Sequence, residues 1–582
     1  MRYRLSMPAP RSHLFHVEAT LARPGAAAEL VFPVWTPGSY LVREYARHVE
    51  GLEARDGQGR PLPVTRLDKH RVSIAAGGAE AVTLRWRVWA NELTVRTCHL
   101  DETHGYVNGA AVFPYAPGRL GERCELEIAP PEGWQVATAL PGGPTLFTAR
   151  DYDELADSPI EIGRHKLFRF EAGGRPHEIA LWGRARLDEE RFVADVRRVV
   201  EAFAGMLGGL PYERYLFIVH LTDKRRGGLE HARSTTLAVS RGGFHPRDAY
   251  EETLALAAHE FFHVWNVKAL RPGAFVPYDY AREQYTRLLW WFEGVTSYYD
   301  ALVLVRAGIS EPRRFLKNLG QSLTAAARTP GAAKMSAEES SFLAWVKQYR
   351  PDENTGNSAV SYYLKGELVA LALDLALRRA GGSLDALLRT LLARHAAGGL
   401  PEDGVERAAA EAMGAGAAKA FFDRFVRGVE PLELGLEQVG LRERRRVASG
   451  FDDKGGMPRP ENGAGEPGWL GAELASGPRL QLQIQSVREG SPAWAAGLQA
   501  DDEIVAEDGF RVDRGGLWER LVQEGPRGRL RLTVFRRDEL LEVEVPLAPP
   551  PEDTVWVEPI PDAPSEARAA FEAWCGAPFP GS

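Results

Sequence analysis

Hydrophobic and polar residues alternate with a period of two through much of the first ~170 positions. The run Ala81-Val82-Thr83-Leu84-Arg85-Trp86-Arg87-Val88-Trp89 is the clearest case, and that period predicts half-buried strands. Thr36-Pro37-Gly38-Ser39 and Asp56-Gly57-Gln58-Gly59 have the residue types of tight turns. Many short strands separated by such turns predict a β-sandwich. No group of side chains there demands chemistry, and 99–109, with His99 and His104, reads as a loop.

The period changes near residue 188. From 189 to 207 the spacing places Phe192, Val196, Val199, Val200 and Phe203 on one helical face. A strand is expected over 215–219. After it comes Gly227-Gly228-Leu229-Glu230-His231, whose paired glycines let a second backbone come close, as a peptide docking along a strand edge requires. A helix is expected from near Asp248 to a point before Pro272, and another over roughly 281–307. Residues 310–430 read as mostly helical, broken at 328–331 and 350–357. Residues 447–468, rich in Gly, Asp, Pro and Glu, read as a linker. Trp469-Leu470-Gly471-Ala472-Glu473-Leu474 then opens a compact β-rich unit with one helix over 516–523. The Pro- and acid-rich tail beyond it has one helical stretch at 565–574.

One segment carries chemistry that its surroundings do not otherwise accommodate. In Leu256-Ala257-Ala258-His259-Glu260-Phe261-Phe262-His263-Val264-Trp265 the two histidines stand four positions apart. On a helix both imidazoles then leave from one face and can hold a single metal ion, with Glu260 beside them to take a proton from activated water. Zinc suits the set because it accepts neutral imidazole and brings the pKa of bound water to about 7. The rest of the segment is apolar, and two histidines with a carboxylate are costly in a core unless something pairs them. The opposing account is a pair of satisfied core histidines, and a third ligand decides between the two. Leu288-Leu289-Trp290-Trp291-Phe292-Glu293-Gly294-Val295 supplies a candidate, because Glu293 is a lone carboxylate in a helix that is apolar almost all round. Coordination by His259, His263 and Glu293 removes both anomalies. Further on, Tyr362 and Tyr363 open a helix, and either can donate a hydrogen bond to an oxyanion; both can equally be core residues with satisfied hydroxyls.

At 582 residues the chain is expected to form three or four domains, and its 44% hydrophobic and 26% charged residues suit a soluble globular protein. A net charge of −8 with no domain-wide basic excess argues against nucleic-acid binding. Arg442-Glu443-Arg444-Arg445-Arg446 reads as a solvated linker rather than a binding patch. Three cysteines cannot form a disulfide framework. The first eight residues lack the apolar run of a secretory signal, and no run reaches the ~18 apolar residues of a membrane span. The expectation is a cytoplasmic enzyme without a membrane partner.

The metal segment, Trp291-Phe292-Glu293-Gly294-Val295-Thr296-Ser297-Tyr298-Tyr299, Trp35-Thr36-Pro37-Gly38-Ser39-Tyr40, Gly227-Gly228-Leu229-Glu230-His231 and Tyr363-Leu364-Lys365-Gly366 together resemble the glycyl aminopeptidase family of gluzincin metallopeptidases, peptidase family M61. The C-terminal unit resembles a PDZ domain. The resemblance implies a multidomain α+β protein. Its parts are an N-terminal β-sandwich (1–172), a thermolysin-like zinc peptidase domain (173–308) and a helical domain completing the active-site cleft (309–446). A linker (447–468), a PDZ-like domain (469–549) and a tail (550–582) complete the chain. It implies zinc on His259, His263 and Glu293, and Glu260 as general base. By similarity to the wider aminopeptidase group, Glu230 binds the substrate amine, with Gly227 and Gly228 beside it. His231 replaces an asparagine of that group's pattern. The similarity favours Tyr363 over Tyr362 as oxyanion donor.

The expected activity is removal of a small N-terminal residue, glycine or alanine, from peptides with a free amine. The loop at Leu470 and Gly471 is expected either to cradle a peptide ligand or to belong to a packing module. Two alternatives stand beside this reading. One is an endopeptidase fed by the PDZ-like unit, and the other a peptide-binding scaffold with a structural zinc.

Overall fold

The computed structural model describes residues 1–459, 465–476 and 482–581, and within it the alternating N-terminal segment folds into sheets of seven, four and three strands. The strand Ala81–Trp89 shows why: Val82, Leu84, Trp86 and Val88 are buried, while the residues between them face outward. Strands β1 (His99–Leu100), β2 (His104–Val107), β3 (Gln135–Thr138) and β4 (Ile160–Gly163) make the four-stranded sheet, in the order β3-β4-β2-β1. The segment expected as a loop at 99–109 is therefore largely strand. Asp101 Oδ1 accepts from the backbone N–H of Thr103 and His104 and closes the turn that joins β1 to β2.

A further, five-stranded sheet is built from β5 (Lys166–Ala172), β6 (Arg175–Trp182), β7 (Tyr215–Thr222), β8 (Gly227–Glu230) and β9 (Ser234–Ser240), ordered β5-β6-β7-β9-β8. Strands β6, β7 and β9 run parallel, and β8 lies antiparallel at the edge. Every residue of β7 is buried, as expected of a central parallel strand. Helix α1 (Glu189–Leu207) buries Phe192, Val196, Val199, Val200 and Phe203, the face read from the sequence; Asp188 caps its start and Gly208, at φ 83°, ends it. Helix α2 (Arg247–Phe262) packs on α1 through Phe203 and Phe262, with ring centroids 5.1 Å apart, and on β7 through Tyr215 and Phe261, also 5.1 Å.

The chain divides into two compact units, Met1–Thr286 with Leu388–Val405, and Arg287–Leu387 with Glu406–Ser582. In the second unit a π-helical turn, Trp290–Gly294, leads into α3 (Val295–Arg306), with α4 (Pro312–Ala327) and α5 (Tyr362–Arg379) beyond it. The helix expected over 281–307 is thus shorter at its start. Strands β10 (Leu441–Arg446), β11 (Ala472–Ser476) and β12 (Thr554–Pro559) and helices α6 (Arg514–Glu524) and α7 (Ser565–Cys575) complete what the function needs. Strand β11 is the edge of the C-terminal sheet, beside Leu482–Val487.

Two stretches read as connecting segments prove to be structured. The arginine-rich run is strand β10, paired antiparallel with β12; Arg442 and Arg444 reach Glu558, and Arg446 reaches Asp453. Alternation sends Arg442 and Arg444 to an acidic partner far along the chain, which local charge density does not reveal. The tail returns to the helices of its own unit, where Trp574 and Cys575 are fully buried and Trp574 Nε1 donates to Tyr298 Oη at 2.6 Å. Of the segment expected as a linker, 447–459 and 465–468 are described and pack within the same unit: Gly456 N donates to Val555 O and Gly468 N to Leu521 O, both at 2.7 Å. Residues 460–464 of it lie outside the described residues. The three cysteines are buried and free. No helix among the described residues is long and apolar enough to cross a membrane.

Candidate functional site

Within the first unit, α2 carries the metal segment. The helix ends at Phe262, one residue before His263 and short of the extent expected from the sequence. The chain curls tightly there: Trp265 N donates to Phe262 O, and Lys268 N donates to His263 O at 3.0 Å. Val267 is held at φ 144°, a conformation that β-branched residues avoid. This turn has two consequences. It brings Asn266 O to 2.9 Å from His263 Nδ1, so that nitrogen carries the proton and Nε2 presents its lone pair. It also sends Lys268 into the protein. His263 keeps a helical backbone, so the rings of His259 and His263 remain neighbours, 4.9 Å apart and edge to face. Two imidazoles side by side, one with its tautomer set by a carbonyl, fit a zinc ion.

Glu260 is buried and lies against β8, at Gly228. A Cβ built on Gly228 would overlap the Glu260 carboxylate, so glycine there lets the base touch the edge strand. At the other end of β8, Glu230 is 3% exposed, and its Oε1 has no hydrogen-bond partner. Glu230, Glu260 and His263 each offer a ligand-type atom, all within 4.8 Å of one another. A carboxylate oxygen buried without a donor is costly unless a cation or an N–H meets it.

Next to Glu230, the imidazole of His231 is held through Nδ1 by Asp157, 3.0 Å away, and its Nε2 has no partner. Asp157 also accepts from Ala232 N and from Lys268 Nζ, both at 2.8 Å. Burial pushes the Asp157 carboxyl up, but the Lys268 charge and the His231 hydrogen bond outweigh it and hold it well below the usual range. Burial likewise pulls Lys268 down, and Asp157 more than reverses this.

Within the second unit, Glu293 sits in the π turn and is 2% exposed, so its carboxylate does not face bulk solvent. A π turn inserts one residue into the helical register and so re-aims the side chains within it. Gly294 meets the backbone of Gly366 on α5, where a Cβ on either glycine would clash. The tyrosine pair opens α5 behind the capping residue Ser361, with stacked rings 4.7 Å apart. Tyr362 is fully buried. Tyr363 is partly exposed, with its hydroxyl 3.2 Å from that of Tyr349; burial and the nearby Glu293 charge raise its pKa well above the usual value.

Leu470 and Gly471 line a cavity of about 350 Å³ between the edge of β11 and helix α6, together with Leu474, Trp518 and Leu521. Gly471 has φ +76°, and a side chain there would strike Ser491. Phe451, from the segment read as a linker, closes one side against Trp518, with ring centroids 5.3 Å apart.

Three features escape a reading of the sequence. Asp157 and Lys268 are single charged residues far apart in the chain, and no local pattern links them. Phe451 is one aromatic in a Gly- and Asp-rich stretch. Of the histidines read as part of a loop, His104 belongs to a buried cluster with Glu161 and His220, and half-buried His99 stands against it, its Nδ1 3.0 Å from His104 Nε2.

Among known proteins and families, residues 2–164 match the Peptidase M61 N-terminal domain, 252–369 match M61 glycyl aminopeptidase, and 483–537 match a PDZ domain. The chain is similar to the crystal structure of an aminopeptidase N family protein from Idiomarina loihiensis, with 33% identity, 99% of each chain covered and a TM-score of 0.93. An M1 zinc metallopeptidase variant from Deinococcus radiodurans, bound to a Tyr-Ser-Ala substrate, is more distant, with 13% identity, 74% of this chain and 95% of that chain covered and a TM-score of 0.44. No curated protein sequence matches.

Proposed function

The chain belongs to the M61 glycyl aminopeptidase family and is a metallo-aminopeptidase, and from that premise we propose that it releases a small N-terminal residue, glycine or alanine, from peptides with a free amine. His259, His263 and Glu293, the ligand set of the HExxH segment and the lone core carboxylate after it, would hold a zinc ion, which would supply Lewis acidity toward the scissile carbonyl and toward water. Glu260 takes the proton of the attacking water and passes it to the leaving amine. Tyr363 donates its hydroxyl hydrogen to the developing oxyanion. Gly227 and Gly228 let the substrate lie along β8, with His231 at the end of that strand.

The observation that carries this reading is the unpartnered, buried oxygen of Glu230. The α-ammonium of a peptide brings three N–H donors and a positive charge, which is what that oxygen lacks. Glu230 and Glu260 stand close enough to serve the two ends of a single residue, whose amine and scissile carbonyl are separated by one carbon. The ruler therefore measures one residue in from the amine. Leu470 and Gly471 are read as the floor of a groove for a peptide that adds as a strand to β11.

The test is a panel of aminoacyl reporter substrates and matched free and N-acetylated peptides, with metal analysis of the same sample. Glycyl and alanyl reporters should turn over fastest, and acetylation should abolish cleavage of the first bond. Efficient cleavage of blocked peptides would instead assign an endopeptidase, and bound zinc without any turnover would leave a binding scaffold.

A further inference from the structure

Beneath the N-terminal sandwich lies a cluster of imidazole and carboxylate groups that the peptidase chemistry does not use. His104 on β2, Glu161 on β4 and His220 on β7 are each fully buried, and each offers one ligand-type atom within 4.8 Å of the others. His104 Nδ1 is 3.0 Å from Glu161 Oε1, and His220 Nε2 is 2.9 Å from Glu161 Oε2. His99 on β1 stands behind, its Nδ1 3.0 Å from His104 Nε2. We propose that His104, Glu161 and His220 form a second metal site, a structural one for zinc, which ties the sandwich to the sheet that carries β8.

Three observations support a cation there. The first is charge. Among the described residues Glu161 has no lysine or arginine within ion-pair distance, only the two imidazoles. An ionised carboxylate wholly out of water needs a positive partner, and a divalent ion held by two neutral imidazoles provides one.

The second is donor geometry. Two donors bound to one zinc at about 2.0–2.1 Å lie roughly 3 Å apart when they subtend a little over a right angle. The two N–O separations match that, and the two imidazole nitrogens with both carboxylate oxygens make four donors, which closes the site to substrate.

The third is the surrounding shell. A histidine that binds metal through one nitrogen characteristically donates its other N–H to a neighbour. His99 Nδ1 is placed to accept from His104 Nε2. Trp182 stacks on the His104 ring, with centroids 3.6 Å apart and planes 15° from parallel, and fixes its orientation. A side chain at Gly163 would press on His104.

This second site is separate from the peptidase centre and can be tested without measuring activity. Full-length protein, dialysed against zinc-free buffer, should hold about two equivalents of zinc per chain by mass spectrometry, and a His259→Ala/His263→Ala variant about one. Adding Glu161→Gln to that variant should remove the remaining equivalent. A His259→Ala/His263→Ala protein that holds no zinc would overturn the proposal and leave a hydrogen-bonded cluster. So would an equivalent that survives Glu161→Gln. Should the triple variant fail to fold, anomalous scattering at the zinc edge from crystals of the double variant decides the matter. A peak among His104, Glu161 and His220 supports the site, and a peak elsewhere, or none, refutes it.

Discussion

The Glu230 carboxylate fills the space that a side chain at Gly38 would need: a Cβ built on Gly38 overlaps both carboxylate oxygens. Gly38 also has φ +87°, which an L side chain resists. The turn Thr36-Pro37-Gly38-Ser39 of the sandwich is therefore part of what aims Glu230. Gly38→Ala should displace the proposed amine anchor and lower kcat/KM for glycyl substrates by about 10²-fold, the scale of a small misplacement of a binding group. Zinc content should stay unchanged. Steady-state kinetics beside metal analysis checks both, and unchanged kinetics would separate Glu230 from amine recognition.

Glu260→Gln keeps the shape of the base and removes its proton affinity. Turnover should fall by about 10²–10⁴-fold with zinc retained, the range that general-base catalysis contributes. Gly228→Ala should show part of the same loss, because its Cβ would push Glu260 aside. The comparison of kcat between the two variants tests whether contact with β8 positions the base.

The two tyrosines at the start of α5 should separate cleanly. Tyr363→Phe removes a hydroxyl that lies 3.2 Å from the hydroxyl of Tyr349. It should lower kcat by about 10²-fold with little change in KM, as expected for an oxyanion donor. Tyr362→Phe should keep near-normal kcat, because that ring is fully buried. Equal losses in the two variants would remove Tyr363 from the chemistry.

What the sequence makes legible depends on the range of each interaction. The period of two in Ala81–Trp89 and the 3.6-residue face of α1 are local, and both elements form as read. The metal segment is legible because the His259–His263 spacing is itself a statement about a helix face. The premature end of α2 is not, since it depends on the 263–268 turn. The buried Asp157–Lys268 pair is out of reach because its partners are 111 positions apart. His99 and His104 read as loop residues because their meaning depends on Glu161 and His220, contributed by strands of two different sheets.

The Asp157–Lys268 pair makes a stability prediction with a defined sign. Both side chains are largely buried, at 20% and 3% exposure. Lys268→Met leaves a carboxylate without its main charge partner and should cost about 3–5 kcal/mol. Asp157 has a depressed pKa when folded, so its contribution is present above the unfolded value of about 4 and is lost as pH falls through the folded one. Lys268 has a raised pKa, so its contribution is present below the unfolded value of about 10.4 and is lost as pH rises through the folded one. Urea titrations should therefore show a wild-type advantage that is flat from about pH 5 to 9 and shrinks below about pH 4.

The C-terminal β unit can be removed while β12 and α7 stay in place. Trp469 and Ala548 form an antiparallel bridge, Trp469 N donating to Ala548 O at 2.8 Å, so the unit begins and ends at one place. Truncation at residue 466 would also discard β12 and α7, and with them the buried Trp574. Excising 469–548 and joining the ends with a short Gly/Ser linker keeps both. If the groove beside β11 captures peptide, the excised protein should hydrolyse glycyl reporters within about twofold of the wild type, while kcat/KM for peptides long enough to reach the groove falls by about tenfold or more, the scale on which a tethered second binding site contributes. Equal losses on short and long substrates would show that the unit supports the peptidase fold rather than the substrate.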